Sequence, residues 1–355
     1  MSSSPLPRLH ALATAVPDHD IHQAFIDWAI PRLTDERVRA LFARMASRSG
    51  IGHRWSVLPP TDGGGSPVAP GGFYDVPGLP PTSTRMTAYA AHAPDLAMRA
   101  IAKLGDAFDA ARVTHIVVAS CTGFVAPGID QILARRLGLA PTVERVLIGF
   151  MGCYAGVTAL RTARHIVRSE PDAVVLVVSV ELSTLHLQLE DKPEPLLAML
   201  QFSDGAAAGI VSAAPGGLEL GEGISLALED SADLIRWDIG DTGFAMHLSG
   251  EVPGRLRDAL AAPAIRERLF GTGDTPDLLA VHAGGRSVLD AVEHALGVAP
   301  EALADSRSVL ARFGNMSSAT ILFVLADMMA RGAAGQGIAI AFGPGLAAEA
   351  IRFRA

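Results

Sequence analysis

A cysteine, a histidine and an asparagine, residue types that can act as a nucleophile, its base and an oxyanion donor, stand in this chain at Cys153, His282 and Asn315. Cys153 lies within Gly152-Cys153-Tyr154-Ala155-Gly156, where an apolar strand-like run (146–150) meets an apolar helical run (157–167). A thiol at the start of a helix faces the positive end of the macrodipole, which favours its thiolate. Gly152, Ala155 and Gly156 are small enough for a tight turn and for a substrate to approach the sulfur. Cysteine with histidine is a nucleophile with its partner base. An asparagine amide can join an imidazole N–H in holding a developing oxyanion. Taken singly, His282 also reads as a hydrogen-bonded histidine at a strand end, and Asn315 as a helix cap after Gly314.

The elements that position these residues occur twice. Cys153 and Asn315 are 162 residues apart, and the same spacing carries the strand-like runs 115–120 and 174–180 onto 277–282 and 336–342. Apolar helical patterns follow at 128–137 and 157–167 in one copy, and at 287–296 and 319–329 in the other. A repeated strand–helix–strand–helix–strand unit predicts a duplicated α/β domain with buried sheets. The spacing sets Cys153, His282 and Asn315 at strand ends or strand-to-helix junctions, and open α/β sheets bind ligands at the carboxyl ends of their strands. If the two halves share a pseudo-twofold axis, the three ends converge on one cavity. The division falls in the Gly/Pro-rich connector 215–222, giving an N-terminal half 1–215 with the cysteine and a C-terminal half 216–355 with the histidine and asparagine.

Before these repeats, the pattern predicts a strand over 8–16 and a helix over 21–33. A second helix over 37–47 opens at Thr34-Asp35-Glu36. A Pro/Gly-rich loop spans 59–81, and helical spacing resumes over 86–104. The 355 residues are 49% hydrophobic and 19% charged, enough to bury a large core. Mean hydropathy is +0.31, which points to surface hidden in a subunit interface. A net charge of −8 argues against nonspecific nucleic-acid binding. Two cysteines, Cys121 and Cys153, make no disulfide framework and suit a reducing, cytoplasmic setting. The first ten residues lack signal-peptide character, and no window is long and apolar enough to span a membrane. The eleven histidines show no metal-ligand spacing: His19 and His22 lack a third ligand.

Four motifs acting together carry a resemblance: Gly152-Cys153-Tyr154-Ala155-Gly156, His282-Ala283-Gly284-Gly285, Gly314-Asn315-Met316-Ser317-Ser318-Ala319 and Phe342-Gly343-Pro344-Gly345-Leu346. The chain resembles the type III polyketide synthases, the chalcone and stilbene synthase superfamily. The likeness runs from Ala13-Thr14-Ala15-Val16-Pro17 to the Gly-Pro-Gly loop. It implies an α/β thiolase-like fold with duplicated halves in a five-layer αβαβα arrangement, and a homodimer. The implied activity loads an acyl-CoA starter on Cys153, decarboxylates malonyl-CoA, condenses the two and cyclises the product without a carrier domain, metal or redox cofactor.

The resemblance also implies a cavity lined by Cys121, Ser183, His186, Phe202, Trp237, Met246, Ser317, Gly343 and Pro344, with Arg44 and Arg48 at the mouth of a CoA tunnel. Departures from the plant pattern gather here. Cys121, Ser183 and His186 stand where plant members have threonine, Trp237 where they have glycine, Leu41 where they have a CoA-binding lysine. Met246 replaces one of two aromatic gates, with Phe244 two residues away. These changes turn the expected product from flavonoid-type tetraketides to the pyrones, resorcinols or other phenols made by bacterial and fungal members. An initiating 3-oxoacyl-carrier-protein synthase shares the Cys–His–Asn set, but its histidine motif continues Gln-Ala-Asn where this chain has Ala283-Gly284-Gly285-Arg286. A papain-like hydrolase lacks the duplicated α/β pattern. A non-catalytic scaffold would not need all three residues intact.

Overall fold

The structure, a computed structural model, describes residues 6–271 and 275–355. Its first half runs β1 (Arg8–Ala15), β2 (His19–Asp20), α1 (His22–Ala29), α2 (Glu36–Ser47), β3 (Trp55–Ser56), α3 (Thr82–Ala102), β4 (His115–Ser120), α4 (Ile129–Arg136), β5 (Glu144–Gly149), α5 (Ala155–Ser169), β6 (Val175–Leu182), α6 (Pro193–Met199) and β7 (Asp204–Ser212). The second runs β8 (Leu218–Ala227), β9 (Ile235–Gly240), β10 (Gly243–Leu248), α7 (Val252–Ala261), α8 (Pro263–Phe270), β11 (Leu278–Val281), α9 (Arg286–Leu296), α10 (Ala304–Phe313), α11 (Thr320–Ala330), β12 (Gln336–Gly343) and β13 (Ala347–Arg354). Local chemistry sets several boundaries. The Asp35 carboxylate accepts the Arg37 and Val38 N–H groups at 2.7 and 3.1 Å, capping α2 where the sequence predicts its start. β4, β6 and β7 are buried along their whole length, which is why they read as continuous apolar runs and not as alternating ones.

Nine strands form one sheet in the order β11-β12-β13-β8-β1-β7-β6-β4-β5. β4 pairs in parallel with β5 and β6, β6 runs antiparallel to β7, and β7 antiparallel to β1. In the second half β11 is parallel to β12, β12 antiparallel to β13, and β13 antiparallel to β8. The duplication is thus a repeat of topology: β1, β4, β6 and β7 answer to β8, β11, β12 and β13. Among the described residues, the halves pair in the sheet at Arg8↔Glu219 and Leu9↔Leu218.

Successive strand residues face opposite sides, so each strand serves two layers. Ile116 and Val118 of β4 pack with Tyr89 and Leu96 of α3 and Leu133 of α4. Val117, between them, packs with Leu160 of α5 and Ile321 and Leu325 of α11. On the far side, Leu279 and Ile338 pack with Leu256 of α7 and Leu289 of α9. Helices α5 and α11 therefore form a middle layer between the two sheet halves, and the arrangement is αβαβα. Among the described residues no helix is long and apolar enough to cross a membrane.

Two expectations are corrected. β5 has no counterpart among the described residues of the second half, because α10 takes that stretch. Val309 and Leu310 are buried there while Asp305, Arg307 and Arg312 stay at the polar face, a period of 3.6 and not 2. Asn315 consequently follows a helix and reaches the site through a single bridge to Phe202, not from a strand end. The connector predicted over 215–222 is shorter, since β8 begins at Leu218 with Leu218, Leu220 and Ile224 buried in alternation.

Candidate active site

Cys153 sits in a 3-10 turn, Gly152–Tyr154, between β5 and α5. The turn needs its glycines. Gly152 has φ +75°, and a Cβ there would lie 2.5 Å from Pro344 Cδ. A Cβ on Gly156 would lie 2.2 Å from the Ser318 carbonyl oxygen. The cysteine turn is thus clamped between the Gly343-Pro344-Gly345 loop after β12 and the segment before α11.

Asn315 is fixed at every polar atom but one N–H. Its backbone donates to Gln201 O at 2.8 Å and accepts from Ser203 N at 2.9 Å. Its side-chain oxygen accepts from Ser317 N at 2.8 Å, and its amide donates to Gly284 O at 3.2 Å. The Ser317 and Asn315 side chains both act to lower the pKa of the Cys153 thiol. Ser317 Oγ lies 3.3 Å from Cys121 Sγ. Gly284, bonded to Asn315, belongs to the turn that follows His282, and a Cβ on it would stand 3.3 Å from His282 Nε2. Cys153, His282 and Asn315 are nearly sealed, at 8%, 1% and 3% exposure. Neither ring nitrogen of His282 has a hydrogen-bond partner among the described residues.

Burial opposes the lowering expected of the helix start. Burial, followed by the nearby Glu181 carboxylate, pushes the Cys153 thiol up to about 12, against the lowering pull of Ser317, Asn315 and the helix-start backbone. Burial alone pulls His282 down to about 3. Desolvation thus works against the helix dipole at Cys153 and against a charged imidazole at His282. Cys121 is also raised well above the usual thiol range, by burial and then by Glu181.

Glu181 was not singled out from the sequence. It is fully buried at the end of β6 and accepts from Cys121 N at 3.0 Å, Thr122 Oγ1 at 2.8 Å and the Ser318 hydroxyl, so one carboxylate ties both halves of the site together. Its signal was an acid inside an otherwise apolar strand.

The remaining expected cavity residues form an aromatic wall. His186 stacks on Phe244 at 4.1 Å, and Trp237 stands edge-on to His186, Phe244 and Phe202 at 5.4, 5.8 and 6.3 Å. His186 Nε2 meets the Thr122 carbonyl at 2.7 Å and Nδ1 accepts from Phe244 N at 3.1 Å, so its proton sits on Nε2. Burial lowers its pKa to about 3, which makes it a neutral strut. Trp237 faces Met246 across the β9–β10 hairpin. Phe244, not Met246, completes the cluster. Ser183 is buried with its hydroxyl unpartnered.

Trp237 and Phe244 line two cavities. One reaches Cys121, Gly152 and Pro344 and is the chamber beside the thiol. The other runs past Phe202, Met246, Ser183 and His186 toward α1. Arg44 and Arg48 are exposed at the end of α2 and line neither cavity, although the Arg48 carbonyl accepts from Arg286 of α9 at 3.1 Å. His19, by contrast with a metal ligand, bonds to the Leu58 carbonyl through Nδ1.

Comparison with known proteins gives concordant matches. A family model described as "Chalcone and stilbene synthases, N-terminal domain" matches residues 3–215, and its C-terminal companion matches 220–355. The chain is 32% identical to "Alpha-pyrone synthesis polyketide synthase-like Pks18" of Mycobacterium tuberculosis, over 97% of this chain and 90% of that protein. It is 33% identical to "Polyketide synthase 37" of Dictyostelium discoideum over 68% of this chain, which is 9% of that much longer protein. Among solved structures, PKS-I from the brown alga Ectocarpus siliculosus superposes with a TM-score of 0.87 at 28% identity, covering 99% of both chains. The C-terminal type III polyketide synthase domain of Steely1 from Dictyostelium gives 0.86 at 26% identity, covering 98% of this chain and 99% of that one.

Proposed function

The chain belongs to the chalcone and stilbene synthase family and is a type III polyketide synthase, and from that premise we propose that Cys153 carries the acyl chain while His282 and Asn315 serve loading and decarboxylation. The observation that carries this assignment is the convergence of the Cys153 thiol with the Asn315 amide, itself bonded to the turn that bears His282. In loading, Cys153 Sγ attacks the starter thioester as its proton passes to His282, and CoA leaves as the thiol by taking that proton back. In extension, the C–C bond to the malonyl carboxylate breaks, carbon dioxide departs and its electron pair forms an enolate. Its oxygen is held by the free Asn315 N–H and an imidazole N–H. The enolate carbon attacks the acyl carbonyl on Cys153, forms the new C–C bond and breaks the thioester C–S bond, releasing the thiolate, which takes up a proton from solvent or attacks the next thioester directly. These steps call for no metal or redox cofactor.

Acyl-CoA and malonyl-CoA are the family's substrates. For this chain we assign an acyl-CoA starter, malonyl-CoA extension and closure to a pyrone or a resorcinol-type phenol. The name of the Mycobacterium relative, an α-pyrone synthase-like protein, supports the former. The reading as a carrier-dependent initiating synthase has no support in these matches. A homodimer is supported by exposed apolar residues around the outermost strand β5: Leu147 at 47%, Phe150 at 59%, and beside them Phe124 and Ile239 at 64% each. Two free buried thiols suit a reducing cytoplasm. The test incubates purified protein with acyl-CoA and malonyl-CoA, without carrier protein, and reads carbon dioxide and cyclised product by mass. Condensation that required a carrier protein would refute the assignment.

A further inference from the structure

Strand β4 delivers Cys121 to the active site at one end, and at its other end three side chains that suit a metal ion turn toward one point. His115 opens β4, Glu144 opens β5 and Glu170 caps the C-terminus of α5. His115 and Glu144 face each other across the parallel pair, and the Glu144 N–H donates to the Thr114 carbonyl at 3.0 Å. The Glu170 N–H donates to Ile166 O at 2.7 Å, and its carbonyl accepts from Ala173 N at 2.9 Å in the turn toward β6. His115 Nε2 stands 3.7 Å from Glu144 Oε2 and 3.8 Å from Glu170 Oε2, and the three ligand atoms lie within 4.8 Å of one another. The three residues are far apart in sequence, so no spacing among the histidines announces them.

Two observations set this cluster apart from an ordinary surface ion pair. His115 is 5% exposed, yet its Nε2 makes no hydrogen bond among the described residues. Its Nδ1 lies 2.8 Å from Thr114 Oγ1, which accepts from Val174 N at 3.0 Å and donates to Val174 O at 3.2 Å. With the hydroxyl proton on Val174 O, Nδ1–H donates to Oγ1 and Nε2 keeps its lone pair, the tautomer a metal requires. The second observation is charge. The two carboxylates, 70% and 56% exposed, have no lysine or arginine within ion-pair distance among the described residues. Ligand atoms about 2.1 Å from a tetrahedral zinc ion lie about 3.4 Å from one another, a separation the exposed glutamate ends reach by a small swing.

We propose that His115, Glu144 and Glu170 bind a divalent transition-metal ion of the zinc type, with water completing the tetrahedron. The ion ties the starts of β4 and β5 to the end of α5, and so pins the outermost strand of the sheet at the end remote from Cys153. It takes no part in condensation, and the site stands independently of the polyketide synthase reading. Magnesium, which prefers six oxygen ligands, is a poor match for an imidazole.

The experiment strips the untagged, full-length protein with a chelator and titrates it with zinc by calorimetry, in the native form and in Glu144→Gln, Glu170→Gln and His115→Gln. Melting temperature checks that each variant folds. The native chain is expected to bind one zinc with micromolar Kd at this site, and each glutamine to weaken it about tenfold or more. Saturating zinc is expected to raise the native melting temperature and to leave that of the double glutamate variant unchanged. Cobalt, used as a visible-absorbing probe, is expected to lose its tetrahedral spectrum in His115→Gln. If that variant does not fold, the two exposed glutamate positions decide alone. Zinc binding undiminished in folded variants would place the ion on other histidines or thiols and overturn the site. Kd weaker than about millimolar, or magnesium bound as tightly as zinc, would leave an exposed acidic pair only and overturn it equally.

Discussion

The Asn315 side-chain amide donates to the Gly284 carbonyl oxygen at 3.2 Å, so the residue that opens toward the Cys153 thiol is bolted to the turn that carries His282. Its oxygen is taken by Ser317 N, which fixes the amide the right way round and leaves one N–H for an enolate. Asn315→Ala is expected to keep acyl loading and to cut malonyl-CoA decarboxylation about a hundredfold or more, as for a lost oxyanion donor. Mass spectrometry of the intact protein reads the first step and carbon dioxide release the second. Equal loss of both would assign Asn315 a structural role.

Cys153→Ala is expected to abolish acyl loading, whereas Cys121→Ala is expected still to load and to shift the product profile, because its sulfur meets Ser317 Oγ at 3.3 Å beside the proposed nucleophile without replacing it. Peptide mapping after incubation with a slow starter locates the acyl group. Finding it on Cys121 would reverse the assignment.

The two titrating partners are displaced in opposite directions, Cys153 up to about 12 and His282 down to about 3, each by burial first. Between these values both are neutral, and the thiolate fraction rises tenfold with each pH unit. Alkylation of Cys153 by iodoacetamide is therefore expected to accelerate steadily from pH 6 to 9 with no plateau. A plateau below pH 7 would mean that a thiolate–imidazolium pair exists at rest.

Trp237 lines both cavities and faces Met246 across the hairpin. An aliphatic starter is expected to outperform a coumaroyl-type one, and Trp237→Gly to lengthen the products or broaden starter use. Product masses with paired starters decide it. A native preference for the aromatic starter, or an unaltered profile in Trp237→Gly, would remove Trp237 from the control of specificity.

Much of this was legible because burial writes itself into sequence. β4, β6, β11 and β12 are sealed on both faces, so their apolar runs stood out and their repeat spacing survived. Asp35 announced α2 through capping chemistry that is local by nature. Asn315 was placed at the right spacing on the wrong kind of element, since the repeat carried no sign that α10 had displaced a strand. The lift that burial gives the Cys153 thiol was not legible for a different reason: the helix start is a local feature, whereas the depth that opposes it depends on Pro344 and Glu181, remote in sequence. His186 and Glu181 likewise acquire their roles from partners tens of residues away, Phe244 in one case and Ser318 in the other.

The middle layer has a consequence for how such a molecule arises and how it could be divided. Helix α5 comes from the first half and α11 from the second, and each covers apolar surface belonging to the other. That is how two separate half-size subunits would bind each other, and here a single turn at 213–217 makes the association permanent. The proposed reactive constellation lies at the seam between the two halves, with the thiol from one side and the histidine and asparagine from the other. Severed at that turn, neither fragment would hold a working set of groups. Each would expose the face that recognises its missing twin, so activity would return only when the pieces found each other.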